Sequence, residues 1–415
     1  MKRQHRKVAL AALVAGAISA PAFAQGLEFN GYLRTGFGTT TEGGSQQCFS
    51  GQFPIRAKYR LGNECDTYGE VQIGAPFGNK DGAYGKYVLM LALLGGDESD
   101  FSSVRGTNDT FNIANRQNYF LFGGIFPRGA FQDAKVWLGK RYYNRHDIHI
   151  NDYFYWNNSG QGAGIEDISA GPLKMAVAVH SGGGSGRPAN AIATQRLSVR
   201  GYGLSVNPGG TLEAEAVYLK GSVADNTVGT SSGSMLMVEH TQSGILGGFN
   251  KLAVIWGSKL GSGFEWLPTF AFGDAGARNN GSSIRVHDQL YFDFKGTGIS
   301  GLVTASYAKS DCCGGDQTWA SFGVRPQYNF TDNYSIAVEA GYDEGKSGNT
   351  PKKKLAKLTV APQLTLTGGF WARPVLRGFV TYGKWNGPNG DAGTNGVFGT
   401  DTSGISYGVQ VEAWW

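Results

Sequence analysis

The densest run of chemically capable side chains is RHDIHINDYFYWN, Arg145 to Asn157. It holds Arg145, His146, Asp147, His149 and Asp152 within eight residues. His146, Asp147, His149 and Asp152 are all possible metal ligands, so a metal centre is the first reading to weigh. Hydrolytic chemistry would need a nucleophile, a base and an orienting group in reach of one another. Beyond the first 24 residues the chain has five histidines, none in a nucleophile motif, so an enzyme is not expected. No cofactor motif is present. Cys312 and Cys313 are adjacent in YAKSDCCGGDQ, a loop by composition. A vicinal disulfide and a reduced pair both remain open there, in a structural rather than catalytic role.

The elements that must position these groups read as strands. The chain has 415 residues, 65 of them glycine, well above the average of ~7%. Aromatic content is 13% and branched apolar residues run throughout, which excludes disorder. Residues 1–24 stand apart: a basic start, MKRQHRK, an apolar run, VALAALVAGAIS, and Ala22-Phe23-Ala24. That is a secretory signal, with the mature chain, 25–415, starting at Gln25. Removing its four cations takes the net charge from +5 to +1, and no basic stripe suggests nucleic acid. The best later apolar run, Val88 to Leu94, is too short to span a bilayer as a helix. An exported chain of this kind is either soluble or a membrane β-barrel.

The strands show period two. At the C-terminus Tyr407, Val409, Val411, Ala413 and Trp415 share one face, opposite Ser406, Gly408, Gln410, Glu412 and Trp414. At the mature N-terminus Leu27, Phe29, Leu33 and Phe37 oppose Glu28, Asn30, Tyr32, Arg34 and Gly36. Val71 and Ile73 oppose Tyr68, Glu70 and Gln72, and Leu252, Val254 and Trp256 are in phase. Short connections such as NPGG suit hairpins. A soluble sandwich strand would show the same alternation. The terminal aromatic on the apolar face, and Tyr and Trp recurring near strand ends, favour an all-β antiparallel transmembrane barrel in outer-membrane lipid.

Several stretches carry a resemblance. They include GYLRTGFG (Gly31 to Gly38), GGSQQCF (Gly43 to Phe49), KYRLGNECDTYGE (Lys58 to Glu70) and LGKRYYNRHDIHINDYFYW (Leu138 to Trp156). GAGIEDI, NPGGTLE, EHTQSGILGGFNK, FWARP and the terminal WW follow in order. The chain resembles the maltoporin family of sugar-specific porins along its mature length. The resemblance implies an 18-stranded barrel, a homotrimer, and the outer membrane of a Gram-negative bacterium. The stretches 75–134, 257–316 and 386–404 match poorly and are expected to be variable loops.

Sugars suit such a channel for a physical reason. A sugar ring has an apolar CH face that an aromatic ring can cover, and a rim of hydroxyls that charged groups can bond. By motif, the family's aromatic path falls on Tyr32, Tyr68, Phe249, Trp371 and Trp414, all of which have the inward phase. Its polar tracks and constriction fall on Arg34, Arg60, Glu70, Arg145, Asp147 and Asp152. In the family, Arg145 to Asn157 is the third external loop, folded into the pore, which replaces the metal reading with groups for sugar hydroxyls. Three positions depart from the pattern: Phe154 stands for a tyrosine, Asn112 for an arginine and Asn157 for an acid. The throat thereby loses a hydroxyl, a cation and an anion, so maltodextrin itself is questioned more than sugar passage. Phe101 is the candidate for an aromatic inserted from a neighbouring subunit. Cys48 and Cys65 match the family's external-loop disulfide, in keeping with an oxidising compartment. The competing readings are a general diffusion porin and a secreted carbohydrate-binding module.

Overall fold

Alternation along the chain becomes twenty-one strands in the computed structural model, which describes residues 26–78, 82–95, 111–181, 192–222, 232–262, 270–271, 281–312 and 315–415. In chain order they are β1 (Glu28–Thr40), β2 (Thr67–Gly78), β3 (Tyr84–Gly95), β4 (Phe111–Gly123), β5 (Lys135–Arg141), β6 (Arg145–Ile148) and β7 (Tyr153–Asn157). Then come β8 (Gly160–Ala170), β9 (Leu173–Ser181), β10 (Ile192–Asn207), β11 (Gly210–Ser222), β12 (Ser232–Ser243), β13 (Phe249–Lys259) and β14 (Phe270–Ala271). The last seven are β15 (Ser282–Phe294), β16 (Ile299–Ser310), β17 (Gln317–Asn329), β18 (Tyr334–Ser347), β19 (Lys353–Thr365), β20 (Val375–Trp385) and β21 (Ser403–Trp414). Eighteen of them form one closed antiparallel barrel; β14 is a short addition beside β10, and β6 and β7 form a separate hairpin. Closure runs through β1, which pairs with β2 on one side and β21 on the other, setting Tyr32 opposite Glu70 and Trp414. A closed ladder leaves no unpaired edge, which is what lipid demands of a spanning sheet.

Burial is inverted relative to a soluble protein. Phe37 is 69% exposed, Leu138 64% and Val380 52%, whereas Arg285 is 0% and Glu412 1% exposed. Apolar side chains therefore face lipid and ionic ones face inward, the arrangement of a transmembrane barrel. Leu252, Val254 and Trp256 point out, as their phase requires. The two ends differ in chain length between strands. Turns such as 208–209 and 171–172 close one end, and segments such as 41–66 and 142–159 close the other, which identifies the latter as external.

Two external loops fold back into the barrel. The 142–159 segment carries the β6–β7 hairpin, and its Ile148, Ile150, Tyr153, Tyr155 and Trp156 pack on the inner wall at Val217, Met237, Ile255 and Trp319. The 41–66 segment lines the neighbouring wall. Its Tyr59 ring fits where Gly323 and Gly341 have no side chain, since a Cβ at either would overlap the ring. The two loops are joined by backbone bonds from Lys58 N to Asn151 O (3.1 Å) and from Arg60 N to Ile150 O (2.9 Å). Cys48 and Cys65 form a disulfide in the first loop, with Cα atoms 5.9 Å apart. Cys312 is buried and disulfide-bonded; Cys313 lies outside the described residues, as do residues 1–24 and Phe101.

The stretches expected as loops are corrected in part. Residues 75–134 contain β3 and β4, and 257–316 contain β15 and β16, because outward strand positions require only an apolar surface and tolerate many sequences. Residues 386–402 do form a loop.

Candidate functional site

The inward face of the barrel carries an arc of rings. Phe249 lies 5.5 Å from Tyr291, Tyr291 5.5 Å from Trp371, and Trp371 5.0 Å from His149, centroid to centroid. His149 lies 6.1 Å from Trp414, whose register partner Tyr32 lies 6.2 Å from Tyr68. All five expected aromatics are in this arc, together with Tyr291 and His149, which motif matching does not nominate. Tyr291 was accessible to phase reasoning, since it shares the inward side of β15 with Arg285, His287 and Gln289. Tyr291 and Trp371 rest on the apolar cluster that seats the 142–159 loop, so the arc has a firm backing. Burial, with Arg60 and Arg373 nearby, pushes the His149 imidazole well below its ordinary value. Its ring stands between those of Trp371 and Trp414.

Two placements differ from the phase argument. Trp371 is not on a strand: it lies in the turn 366–374 between β19 and β20, which bends inward beneath the throat. Strand phase therefore has no meaning there, and its direction comes from packing on Phe370, 4.8 Å away, and Tyr291. Arg60 is likewise in the first infolded loop rather than on the wall, and only 8% exposed.

An ionic ladder runs beside Tyr32. Arg34 reaches Glu64 (2.9 Å), Asp66 (2.8 Å) and Asp152 (3.3 Å), and its guanidinium lies 5.1 Å from the Tyr68 ring centre. Arg60 pairs with Glu64 (3.0 Å) and Glu412 (2.9 Å). Glu412 also receives Arg373 (2.7 Å) and Arg377 (3.1 Å), and the Tyr32 hydroxyl donates to it at 3.1 Å. Burial opposes ionisation of Glu64, yet Arg60, Lys58 and Arg34 outweigh it and hold its carboxyl below the usual range. Removing one partner of such a buried set leaves an uncompensated charge, so these residues hold the rings in place. Glu64 and Glu412 were not nominated from sequence; the inward phase of Glu412 beside Trp414 was the available signal.

Further along the arc, the Tyr68 and Tyr142 hydroxyls both donate to Glu70, each at 2.6 Å. The Arg145 guanidinium is held between the rings of Tyr142 (3.9 Å) and Phe154 (4.0 Å). Phe154 thus supplies a face for a cation where a tyrosine would add a hydroxyl. Asp147 is exposed to the lumen, Asn112 is exposed on the inward side of β4, and Asn157 pairs in register with Arg145.

The four possible metal ligands do not converge. His146 contacts Glu239 (2.9 Å), Glu213 (3.3 Å) and Asn144, His149 joins the ring arc, Asp152 pairs with Arg34, and Asp147 faces the lumen. Behind the throat, wall carboxylates hold the loop. Asn144, Trp156 and Asn158 donate to Glu215 at 2.6 to 2.7 Å, and Tyr155 donates to Glu239 at 2.6 Å.

The solved structures that this barrel resembles are porins. They include a BenF-like porin from Pseudomonas fluorescens Pf-5 (10% identity, 95% of this chain, 99% of that one, TM-score 0.53). A variant of OccD1 (OprD) matches at 8% identity over 96% and 97% of the two chains, TM-score 0.51. Pseudomonas aeruginosa OpdK, solved with vanillate, matches at 9% identity over 94% and 98%, TM-score 0.50. At such identities the likeness concerns the fold. The family model of the LamB porins matches residues 27–415, nearly the whole chain. With its inverted burial and infolded loops, this chain belongs to the LamB porin (maltoporin) family and is a channel of the Gram-negative outer membrane.

Proposed function

We propose that the channel passes sugars by facilitated diffusion, stacking them along the arc from Tyr68 to Phe249. The observation that carries this reading is the arc itself. Five motif aromatics and two further rings follow one another at 5.0 to 6.2 Å in a polar lumen, linked at Trp414 and Tyr32 by strand register. A wall built only to exclude lipid has no need of rings on its wet side. Arg34, Glu70, Arg145, Asp147 and Asp152 flank the arc and supply donors and acceptors for hydroxyls. Transport also needs each site weak enough to release. Rings contribute modest, similar increments, which suits stepwise passage. With Asn112, Phe154 and Asn157 the throat offers fewer charged partners, and the substrate is a di- or oligosaccharide that relies more on stacking than on hydroxyl capture.

The test is single-channel current block by a panel of mono-, di- and oligosaccharides. Concentration-dependent block that strengthens with the number of stacked rings is expected. Absence of block by every sugar would instead indicate a general diffusion porin. The working unit is proposed to be a homotrimer. Light scattering in mild detergent should give three chains, with heat-sensitive mobility on a denaturing gel; a monomer would contradict it.

A further inference from the structure

The lipid-facing surface carries a pattern that transport does not use. Three strands running toward the external end carry tyrosine and lysine two residues apart: Tyr218 and Lys220 on β11, Tyr307 and Lys309 on β16, Tyr382 and Lys384 on β20. In each pair both side chains are exposed and share the outward phase, with the lysine nearer the external loops. On β18 exposed Tyr342 is followed by Lys346, and Lys354 lies outward at the external end of β19.

The register shows that these groups share a level. Lys309 and Lys346 both face Thr318, and Lys354 pairs with Glu344, one step lower on β18. Lys384 pairs with Ala356, a step lower again. The tyrosines descend alongside: Tyr307 pairs with Ala320, Tyr342 with Ala356, and Tyr382 with Leu358. Strands of a barrel tilt, so a level plane crosses them as such a staircase. Tyrosine is at home at the hydrocarbon boundary. The lysines stand just outside it, at the depth of lipid head groups.

The charges there are unbalanced. Among the described residues no ion pair joins Lys220, Lys309, Lys346 or Lys384 to an acid; the nearby acid, Glu344, is held by Lys352 at 2.6 Å and also faces its register partner Lys354, so cations outnumber acids at this level. At the opposite end Lys86, Lys135 and Lys174 are on the inward side of the wall and pair with Glu28 and Asp167, and Lys295, in the turn after β15, pairs with Asp293. We propose that the lysines on β16 to β20 form a binding face for a phosphate-bearing lipid of the outer leaflet. Its acyl chains would lie on the apolar surface below Tyr307 and Tyr382, and its phosphates against the ammonium groups. Strand spacing spreads the four lysines over roughly 19 Å, so a head group with two phosphates can touch more than one. The inference uses the outer-membrane location and is independent of which solute passes.

The experiment delipidates the purified native channel in mild detergent and adds diphosphoryl lipid A or its dephosphorylated form. Native mass spectrometry then counts bound lipid. The wild type should retain the diphosphoryl form preferentially, and about 1 M salt should abolish that preference by screening. The variant K309Q/K346Q/K354Q/K384Q should retain it less by on the order of tenfold or more. Lys295→Gln, at the other end, should behave as wild type. Equal retention of the two lipid forms by wild type would overturn the proposal, as would undiminished retention by the folded quadruple variant. If the quadruple variant does not fold, the paired variants K309Q/K346Q and K354Q/K384Q and the salt dependence of wild type decide on the same criteria.

Discussion

Single residues in this pore are legible where they stand on strands. Tyr32, Tyr68 and Trp414 declare themselves by period two, since an aromatic on a polar face needs a reason to be there. Trp371 does not, because its turn has no period and only packing on Phe370 and Tyr291 sets its direction. If the arc stacks sugars, each ring contributes about 1 kcal/mol, by analogy with aromatic pairs. Trp371→Ala should therefore weaken sugar block several-fold, with open-channel conductance unchanged or higher because a bulky group leaves the lumen. Unaltered block in both Trp371→Ala and Trp414→Ala would leave the arc without a transport role. Arg145 belongs to a different class. Its guanidinium is held between the rings of Tyr142 and Phe154, which fixes a cation at the throat. Arg145→Ala should shift ion selectivity toward cations and weaken sugar block together, read from reversal potentials in a salt gradient and from current block.

Elements that fold inward were only half legible. The 142–159 loop was marked by its density of charge, but the 41–66 loop has no alternation and its receptors lie far along the chain. Tyr59 depends on Gly323 and Gly341, and Phe49 fits against Gly383. Small residues on an inner wall read as ordinary barrel glycines until the ring that needs the space is known. Gly323→Val should unseat Tyr59 at an overpacking cost of roughly 1–3 kcal/mol, raising conductance and its fluctuation while the barrel persists. Adding Tyr59→Ala should restore quiet current; if it does not, the ring is not what the glycine accommodates. The 142–159 loop carries its own titratable latch. Burial works against a charge on His146, but the Glu213 and Glu239 carboxylates outweigh it and raise its pKa to about 9. A free histidine titrates near 6.5. A raised folded value means that the latch contributes fully below that pH, and that its contribution fades as pH rises through about 9. Open-channel noise should accordingly grow between neutral pH and pH 10 in wild type, and be insensitive over that range in His146→Asn. A matching rise in the variant would place the titrating group elsewhere.

At the scale of the molecule, period two identifies a barrel wall but cannot count strands, since each strand repeats the same local rule. Number and closure depend on register between segments far apart, as where β1 meets β21 across most of the chain. The same separation of scales governs what the Cys48–Cys65 bond can do. It closes a loop of 17 residues, which in the chain-entropy model stabilises by about 3 kcal/mol. That stabilisation belongs to the first infolded loop. The barrel is held by a continuous ladder of eighteen strands with no edge from which to fray. The loop has other ties: the Phe49 cluster with Trp385 and Phe398, the Tyr59 slot, and Lys357 Nζ donating to the carbonyls of Lys58 and Tyr59. Reduction should thus make the loop more mobile without opening the wall. With reductant, hydrogen exchange in 41–66 should speed up and open-channel noise should rise. The thermal unfolding midpoint of the strands, followed by circular dichroism, should move by no more than a few degrees. A large drop in that midpoint would mean that the loop and wall unfold as one cooperative unit, and that the infolded segment stabilises the barrel.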